Sequence, residues 1–392
     1  MNAPALPWLV PRAAYVHVPF CAHHCGYCDF AVVTGRDQAM ESYVEALTAE
    51  IAGLGQPQPI DTLFLGGGTP THLPPHLLER LLTALDDWLP VLAGGEKTVE
   101  ANPDTLTEEK LEVLARHAFN RVSLGAQSFF APHLAMLERS HDPTAIAPAV
   151  ERTRRIGAAV SLDLIFAVPS QTLPQWRQEL ACALELHPEH ISTYGLTYEK
   201  GTRLWKQRRQ GTLQAVVEED ELEMYRASIA TLTGAGFDHY EISNFARPGF
   251  RSRHNQVYWA NEAYHGFGLG AARYVQGVRE VNRRDLDGYI HNALAGLPVT
   301  QSSEQLEPFE RARETMAIQL RRCEGIQRRR FEEQTGFELD PLAGDALPNL
   351  VEMGLLSDDG ASVALTLRGR EVADGIIERL MQSAYLASQS NL

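Results

Sequence analysis

The chain of 392 residues carries a net charge of −15, and 44% of its residues are hydrophobic, which is typical of a globular protein of two or three domains. No apolar run approaches the ~18 residues of a membrane span, and the acidic balance disfavours nucleic acid as the main partner. The first residues lack the basic start and long apolar centre of a secretory signal, and the five cysteines form no disulfide pattern. We therefore expect a cytoplasmic protein.

The first half of the chain alternates apolar β-like runs with amphipathic helical stretches, which predicts an α/β fold. The predicted strands are Ala14–Val18, Thr62–Leu65, Thr98–Ala101, Arg121–Gly125, Ser161–Phe166 and His190–Gly195. The predicted helices between them are Gln38–Leu54, Pro75–Trp88, Thr107–His117, Pro143–Ile156 and Pro174–Leu186. Six such units favour a full or partial (β/α)6 barrel, whose chemistry is expected at the carboxyl ends of its strands.

The alternation fades beyond residue 200. A helix is predicted over Val217–Thr233, and a loop-rich stretch of glycines and aromatic residues over Phe237–Tyr274. Three helices, a hairpin and a last helix follow, which predicts a mainly helical, winged-helix-like C-terminal domain. They are Glu307–Arg322, Arg328–Thr335, Asp345–Met353, the hairpin Leu355–Leu367, and Gly369–Gln382. We predict a barrel over 8–245, a connecting segment over 246–300 and a C-terminal domain over 301–392.

The strongest signal is a cluster of three cysteines, Cys21, Cys25 and Cys28, spaced Cys-x3-Cys-x2-Cys. Three thiolates on one short loop can bind three irons of a [4Fe–4S] cluster, leaving the fourth iron open to a small molecule. The alternative is a zinc knuckle completed by His23 or His24. Structural zinc sites usually have two separated ligand pairs, and the sequence has no second pair, so we favour the cluster.

This spacing resembles the signature of the radical S-adenosylmethionine (SAM) superfamily. The segments 15–21, 66–68 and 121–129 resemble the oxygen-independent coproporphyrinogen III dehydrogenase (HemN) family, and the resemblance covers nearly the whole chain. In two features the chain resembles the heme chaperone HemW branch of that family. Phe30 stands where the dehydrogenase has a fourth cysteine, and residues 254–259 match the motif His-Asn-x-x-Tyr-Trp.

The resemblance implies that SAM binds the open iron through its amino and carboxylate groups. The residues that it assigns to SAM are Tyr15, Tyr27, Gly67, Gly68, Thr69, Glu100, Gln127, Arg139, Asp163 and Gly195. Glycines allow backbone N–H groups to approach a carboxylate closely, and a carboxylate at position 100 could pair with the SAM ammonium. The alternatives are a simple tight turn for the glycine run, a capping or salt-bridge role for Glu100, and a surface role for Arg139.

The resemblance also implies a heme site at His254, Tyr258 and Trp259. An imidazole can ligate heme iron, and amphipathic aromatic side chains can cover a porphyrin. Tyr264 and His265 are rival ligands, and the segment could equally be a packed loop that closes the barrel mouth. The chain departs from the family pattern where Ala272-Arg273 follows the glycine-rich segment, because His-Ser is expected there.

The leading interpretation is a heme chaperone that transfers heme to acceptor proteins, among them respiratory hemoproteins, with a [4Fe–4S] cluster and SAM as cofactors. We expect no membrane span and at most peripheral association. The alternative is the dehydrogenase itself, an enzyme of radical SAM oxidative decarboxylation, but Phe30 and the short N-terminal segment count against it. A DNA-binding regulator is disfavoured, since residues 300–392 have 10 basic and 16 acidic residues.

Overall fold

The computed structural model describes residues 6–389, and a nine-stranded sheet forms its core. The strands are β1 (Ala13–Val18), β2 (Ile60–Gly67), β3 (Val91–Ala101), β4 (Arg121–Gln127), β5 (Ala159–Phe166), β6 (His190–Gly195), β7 (Asp238–His239), β8 (Asn244–Ala246), β9 (His265–Phe267), β10 (Ala272–Val275), β11 (Val278–Asn282), β12 (Thr300–Gln305), β13 (Ile326–Gln327), β14 (Leu356–Asp358) and β15 (Ser362–Leu365). The order in the large sheet is β7-β8-β6-β5-β4-β3-β2-β1-β9.

Helices cover the outer face of this sheet and form the C-terminal region. They are α1 (Met40–Ala52), α2 (Pro75–Trp88), α3 (Glu108–Arg116), α4 (Ala131–Met136), α5 (Ile146–Arg155), α6 (Leu173–Glu185), α7 (Arg203–Arg209), α8 (Glu218–Gly234), α9 (Arg253–Trp259), α10 (Leu286–Leu294), α11 (Pro308–Gln319), α12 (Arg328–Thr335), α13 (Leu339–Ala343), α14 (Ala346–Glu352), α15 (Leu367–Glu371) and α16 (Ala373–Gln389). Among the described residues, none of these helices is long and apolar enough to cross a membrane.

Strands β1 to β6 are parallel neighbours, so the predicted partial (β/α)6 barrel is confirmed. Their side chains alternate between the two faces of the sheet, with period two. Val16, Leu65 and Leu124 are fully buried and belong to the hydrophobic core. The opposite face of the same strands carries polar groups such as Glu100 and Asp163, and it lines the barrel interior.

The stretch predicted as loop-rich over Phe237–Tyr274 is largely irregular, but it also holds short regular elements that the sequence did not indicate. This segment contains β7, β8, α9 and β9, of which β8 pairs antiparallel with β6 and β9 pairs parallel with β1. These elements are short, and their pairing partners lie far away in the sequence. Local periodicity therefore gives no signal for them.

The connecting segment beyond Tyr274 is also more regular than predicted. Strands β10, β11 and β12 form an antiparallel sheet. The turn between β10 and β11 places Gln276 and Gly277 in left-handed conformations, with φ of 53° and 82°. Two successive left-handed residues are typical of the tight hairpin turn that suits twisted strands.

The C-terminal region has its own hydrophobic core, which includes Met316, Phe331, Leu350 and Leu380. Its helices surround a small antiparallel sheet in the order β13-β15-β14. The predicted hairpin is confirmed as β14 and β15, and the region has the expected mainly helical, winged-helix-like arrangement.

Candidate cofactor site

The cysteine loop begins directly after β1, at the carboxyl end of the barrel. The N–H of Gly26 donates to the carbonyl of Leu137 at 3.3 Å, and the carbonyl of Gly26 accepts from the N–H of Leu204 at 2.9 Å. The loop is thus clamped between the end of α4 and the start of α7. Burial raises the pKa of Cys28 to about 11 and also raises that of Cys21. Metal binding must therefore displace protons from these thiols.

The two histidines of the loop are engaged elsewhere. His24 donates from Nε2 to the carbonyl of Cys28 at 2.9 Å, and His23 lies 3.8 Å from Glu138. Within residues 6–389, no three His, Cys, Asp or Glu side chains converge as ligands of one metal ion. This applies equally to Cys21, Cys25 and Cys28, so the arrangement does not distinguish a zinc knuckle from a cluster.

The glycine run at the end of β2 packs against the cysteine loop. Gly67 has a φ of +115°, and a Cβ there would lie 2.6 Å from the His17 ring. A Cβ on Gly68 would lie 2.9 Å from the Cys21 sulfur, which real Cβ atoms do not tolerate. Thr69 Oγ1 is 3.5 Å from the same sulfur. Close packing against His17, Pro19 and Cys21 therefore requires glycine at both positions.

Glu100 lies deep inside the barrel, near the end of β3, and keeps part of its surface open to the interior. Its carboxylate accepts a hydrogen bond from the Gly67 N–H at 2.9 Å. Burial, together with the nearby charge of Asp163, raises the pKa of Glu100 to about 7, although the hydrogen bond from Gly67 acts in the opposite direction. No basic side chain of the described chain pairs with it. The salt-bridge alternative for Glu100 is therefore wrong.

Asp163 is the second carboxylate of this interior. It accepts a hydrogen bond from Ser123 Oγ at 2.9 Å and another from Ser192, while burial raises its pKa. Tyr194, next on the interior face of β6, is 42% exposed, so this end of the barrel is hollow. Two deep carboxylates are unfavourable alone, although the charge of Arg139 acts to lower the pKa of Asp163. They fit a cationic ligand that also carries hydroxyl groups, as SAM does.

Arg139 connects the cysteine loop to the strand ends. Its guanidinium lies 3.6 Å from the Cys25 sulfur and donates to the carbonyl of Gly125 at 2.9 Å and to the amide oxygen of Asn102. Tyr27 lies beside it, and burial raises the pKa of that phenol. The surface alternative for Arg139 is therefore wrong. A positive charge at this position favours thiolates on the loop.

The last two predicted SAM residues also lie at strand ends. Gln127 ends β4 at a bulge and has a left-handed φ of 60°, a strained conformation that is common at functional sites. Gly195 ends β6, where a Cβ would lie 2.8 Å from the Glu221 carboxylate. Of the predicted residues, Gly68, Thr69 and Arg139 thus lie against the sulfurs of the cysteine loop.

Sequence reasoning missed His17, which joins Tyr15 to the cysteine loop. Its Nε2 donates to the carbonyl of Ala31 at 2.9 Å, so its Nδ1 accepts from the Tyr15 hydroxyl at 2.9 Å. Burial lowers the pKa of His17 to about 4, so the ring is neutral. The available signal was the period-two alternation, which puts His17 on the same interior face as Tyr15.

The predicted heme residues lie on α9, at the other end of the barrel. His254 is 1% exposed, and its ring nitrogens hydrogen-bond with Thr62 Oγ1 at 3.0 Å and with the Tyr258 hydroxyl at 2.8 Å. Burial lowers the pKa of His254 to about 3. Thr62 precedes Gly67 by five residues along β2, roughly 16 Å at the rise of a strand. The expected position at the barrel mouth is therefore wrong, and His254 is packed.

A buried carboxylate, also missed from the sequence, holds the start of α9. Glu96 on β3 accepts hydrogen bonds from the N–H groups of Arg253 at 3.1 Å and His254 at 3.2 Å. It also accepts from Ser252 Oγ at 3.4 Å. A negative charge at a helix N-terminus is stabilising, so Glu96 fixes this helix inside the barrel.

The remaining aromatic candidates surround the same helix. Trp259 is partly exposed, and Tyr264 packs edge-on against Tyr258 with ring centroids 4.6 Å apart. Burial lowers the pKa of His265 to about 4, which keeps this rival ligand neutral. Arg273, where the family pattern has another residue, forms an ion pair with Glu280 at 2.7 Å. Its role here is to join β10 to β11.

Comparisons with known proteins identify the family. Residues 15–181 match the radical SAM superfamily, and residues 306–372 match the HemN C-terminal domain. The heme chaperone HemW of Lactococcus lactis subsp. lactis is 36% identical over 95% of this chain and 97% of that relative. The heme chaperone HemW of Bacillus subtilis is 39% identical over 92% of this chain and 96% of that relative. This chain belongs to the HemW family.

Membership of the HemW family confirms the resemblance read from the sequence. The solved structure of coproporphyrinogen III oxidase (HemN) from Escherichia coli matches with a TM-score of 0.83 and 23% identity, covering 96% of this chain and 91% of that one. At this identity the match shows a shared fold. The radical SAM superfamily implies a [4Fe–4S] cluster and SAM, the two cofactors predicted for the cysteine loop.

Proposed function

We propose that this protein is a heme chaperone that binds heme and transfers it to acceptor proteins. The observation that carries the proposal is the near full-length similarity to two relatives named heme chaperone HemW, at 36% and 39% identity. The acceptors would be hemoproteins, respiratory ones among them. Nucleic acid has no part in the proposal, and the protein would act in the cytoplasm with at most peripheral membrane association.

The cofactors would be bound at the carboxyl end of the barrel. Cys21, Cys25 and Cys28 would hold three irons of a [4Fe–4S] cluster, since they share one clamped loop. The carboxylates of Glu100 and Asp163 would face the ammonium and hydroxyl groups of SAM. When bound, this pair of cofactors supplies one-electron reductive cleavage of a carbon–sulfur bond.

The protein's own residues would prepare the site for that pair. Arg139 would stabilise negative charge on the Cys25 thiolate, from which it is 3.6 Å away. Gly67 would keep its backbone close to the ligand because it has no side chain. Tyr15 hydrogen-bonds to His17, and His17 hydrogen-bonds to Ala31; this link would hold the segment that follows the cysteine loop.

We further propose that the protein has no coproporphyrinogen III dehydrogenase activity. Phe30 occupies the position of the dehydrogenase's fourth cysteine, and 63% of this side chain is exposed at the edge of the cysteine loop. A phenyl ring has no ligand atom for iron. The three cysteines suffice for the cluster, so this loss leaves the cofactors in place.

Anaerobic reconstitution followed by two assays on the same sample tests the proposal. We expect heme binding by absorbance, heme transfer to an added apo-hemoprotein, and no conversion of coproporphyrinogen III. A Cys28→Ser sample provides the control without cluster. SAM-dependent turnover of coproporphyrinogen III to protoporphyrinogen IX, or failure of the reconstituted protein to bind heme, would overturn the proposal.

A further inference from the structure

A fully buried carboxylate lies on the helix layer of the barrel and has no part in the site described above. Glu179 is on α6, the helix that connects β5 to β6, and none of its side chain is exposed. Burying a carboxylate is unfavourable unless hydrogen-bond donors surround it. The donors around Glu179 therefore show what the fold gains from it.

Three donors from one short segment converge on Glu179. The Phe129 N–H donates to its carboxylate at 2.5 Å, His133 donates from Nδ1 at 3.1 Å, and the Ser128 hydroxyl donates as well. The hydroxyl oxygen of Ser128 in turn accepts from the Phe130 N–H at 2.9 Å. Hydrogen bonds to a charged acceptor are the stronger kind. Glu179 thus holds the connection between β4 and α4 against α6.

The connection that Glu179 holds carries two predicted SAM residues at its ends. Gln127, with its left-handed φ of 60°, comes directly before it. Arg139 comes after α4, and its backbone N–H donates to the carbonyl of Leu134 in that helix at 2.9 Å. The guanidinium of Arg139 lies 3.6 Å from the Cys25 sulfur. A displacement of α4 would therefore move both residues.

The end of α4 also supports the cysteine loop. The carbonyl of Leu137 accepts from the Gly26 N–H at 3.3 Å, while the N–H of Leu137 donates to the carbonyl of His133 at 2.9 Å. His133 contacts Glu179 through its ring and Leu137 through its backbone. A run of hydrogen bonds therefore connects Glu179 to the cysteine loop.

Helix α6 is a firm support for this connection because it is anchored on its other side. Trp176, one turn before Glu179, is fully buried. Its indole N–H lies 3.0 Å from the carbonyl of Met224 and 3.0 Å from Ser228 Oγ, both in α8. These contacts do not involve α4. Loss of the Glu179 carboxylate should therefore release α4 and leave α6 in place.

We propose that Glu179 is a positioning residue for the cofactor site, which acts by holding α4 so that Arg139 lies against Cys25. The inference rests on the proposed cofactors and adds a residue on α6 to the site. Removing a residue that orients the surroundings of a metal centre typically costs about 10- to 100-fold in metal affinity or activity. The effect of Glu179 would reach the cluster through Arg139.

The reduction potential of the cluster separates positioning from a direct effect of charge. A positive charge near the cluster favours the reduced form, which has one more negative charge, and a negative charge disfavours it. Removal of the Glu179 charge alone would therefore raise the potential. Displacement of Arg139 lowers the potential, so the direction of the shift shows which effect operates.

An EPR-monitored redox titration of the anaerobically reconstituted full-length protein makes this measurement. Glu179→Ala should lower the potential of the cluster and weaken SAM binding roughly tenfold, because Gln127 and Arg139 both move. Glu179→Gln keeps the shape of the side chain and an oxygen that accepts from the Phe129 N–H. Its potential should not fall, and its SAM affinity should stay within a few fold of the parent's.

Two further variants keep the test specific. Ser128→Ala removes one of the three donors and should shift the potential in the same direction by a smaller amount, which serves if Glu179→Ala does not fold. Trp176→Phe, on the same helix, loses the hydrogen bonds to α8 and should lower the unfolding free energy. Its cluster potential and SAM affinity should equal those of the parent.

Hydrogen exchange of the full-length protein without cofactors gives a second readout. In Glu179→Ala the amides of residues 127–139 and of Gly26 should exchange faster than in the parent, because the hydrogen bonds that hold them loosen. In Trp176→Phe the same amides should keep the parent's rates.

The outcomes separate the positioning role from the cofactors on which it rests. A parent protein that acquires no [4Fe–4S] cluster would refute the cofactor proposal. A parent with a cluster, in which Glu179→Ala raises the potential or matches Trp176→Phe, would refute the positioning role alone. Exchange of the Gly26 amide that is unchanged in Glu179→Ala would refute the positioning role with or without a cluster.

Discussion

Replacing Glu100 by Gln should stabilise the apo protein while weakening its binding of SAM. The carboxylate lies deep in the barrel with the Gly67 N–H as its hydrogen-bond donor, and its pKa rises from the usual 4.5 to about 7. A shift of about 2.5 units corresponds to roughly 3 kcal/mol, at 1.36 kcal/mol per unit. Because burial disfavours the ionised carboxylate, the parent loses this amount of unfolding free energy as the pH rises. The loss begins above about pH 4.5 and is complete above about pH 7.

The same carboxylate should make SAM binding dependent on pH. The N–H donors of the SAM amino group and the SAM sulfonium cation favour an ionised partner, so below pH 7 binding must first remove a proton from Glu100. The affinity of the parent should then fall about tenfold for each pH unit below 7 and level off above it. A hydrogen bond to a charged group contributes about 1.5–3 kcal/mol, so Glu100→Gln should weaken SAM roughly 10- to 150-fold at pH 8.

Two measurements check this reasoning. Chemical denaturation of the apo proteins at pH 5 and pH 8 should show the gain in unfolding free energy of Glu100→Gln chiefly at pH 8. Anaerobic calorimetric titration of SAM between pH 6 and pH 8.5 should show an affinity that rises with pH up to about 7 for the parent. The affinity of Glu100→Gln should not depend on pH in this way. If Glu100→Gln changed neither the stability nor the SAM affinity, Glu100 would not be a buried carboxylate that gains its partner when SAM binds.

Three further substitutions test other parts of the molecule. Cys25→Ser should abolish the brown absorbance of the anaerobically reconstituted cluster, and a stoichiometric zinc content without iron in the parent would count against the cluster. Asp163→Ala should weaken SAM binding by an order of magnitude while iron content stays the same, and equal affinities would remove Asp163 from the site. Glu96→Gln should lower the unfolding free energy by about 1–3 kcal/mol, because three donors around the start of α9 lose their charged acceptor. Denaturation curves that coincide with the parent's would show that Glu96 does not hold the helix.

The barrel and the cysteine loop could be predicted because their signals are local. Alternating apolar residues mark β1, β2 and β4 to β6 within a few positions, and the cysteine spacing falls within eight residues. Even there the start of β3 was missed, since it begins at Val91 and runs through Gly94 and Gly95, which break the pattern.

The motif helix α9 could not be predicted because distant residues stabilise it. It is seven residues long, and the Glu96 carboxylate that receives its first N–H groups lies 157 residues earlier in the chain. The raised pKa of Glu100 could not be predicted either, because it depends on burial and on Asp163 from another strand. Sequence patterns report neighbours along the chain, and these properties come from neighbours in space.

The way in which α9 is held links the barrel to the C-terminal region. Its first N–H groups donate to Glu96 inside the barrel, while the carbonyl of Ala260 accepts from Gln319 at 3.0 Å and from Gln334 at 2.9 Å. A truncated protein that stops before α11 would lose both amide donors and leave that carbonyl exposed or unsatisfied. The loosened helix would withdraw His254 from Thr62 and open the floor of the barrel. Hydrogen bonds at both ends of α9 thus join the barrel to the C-terminal region.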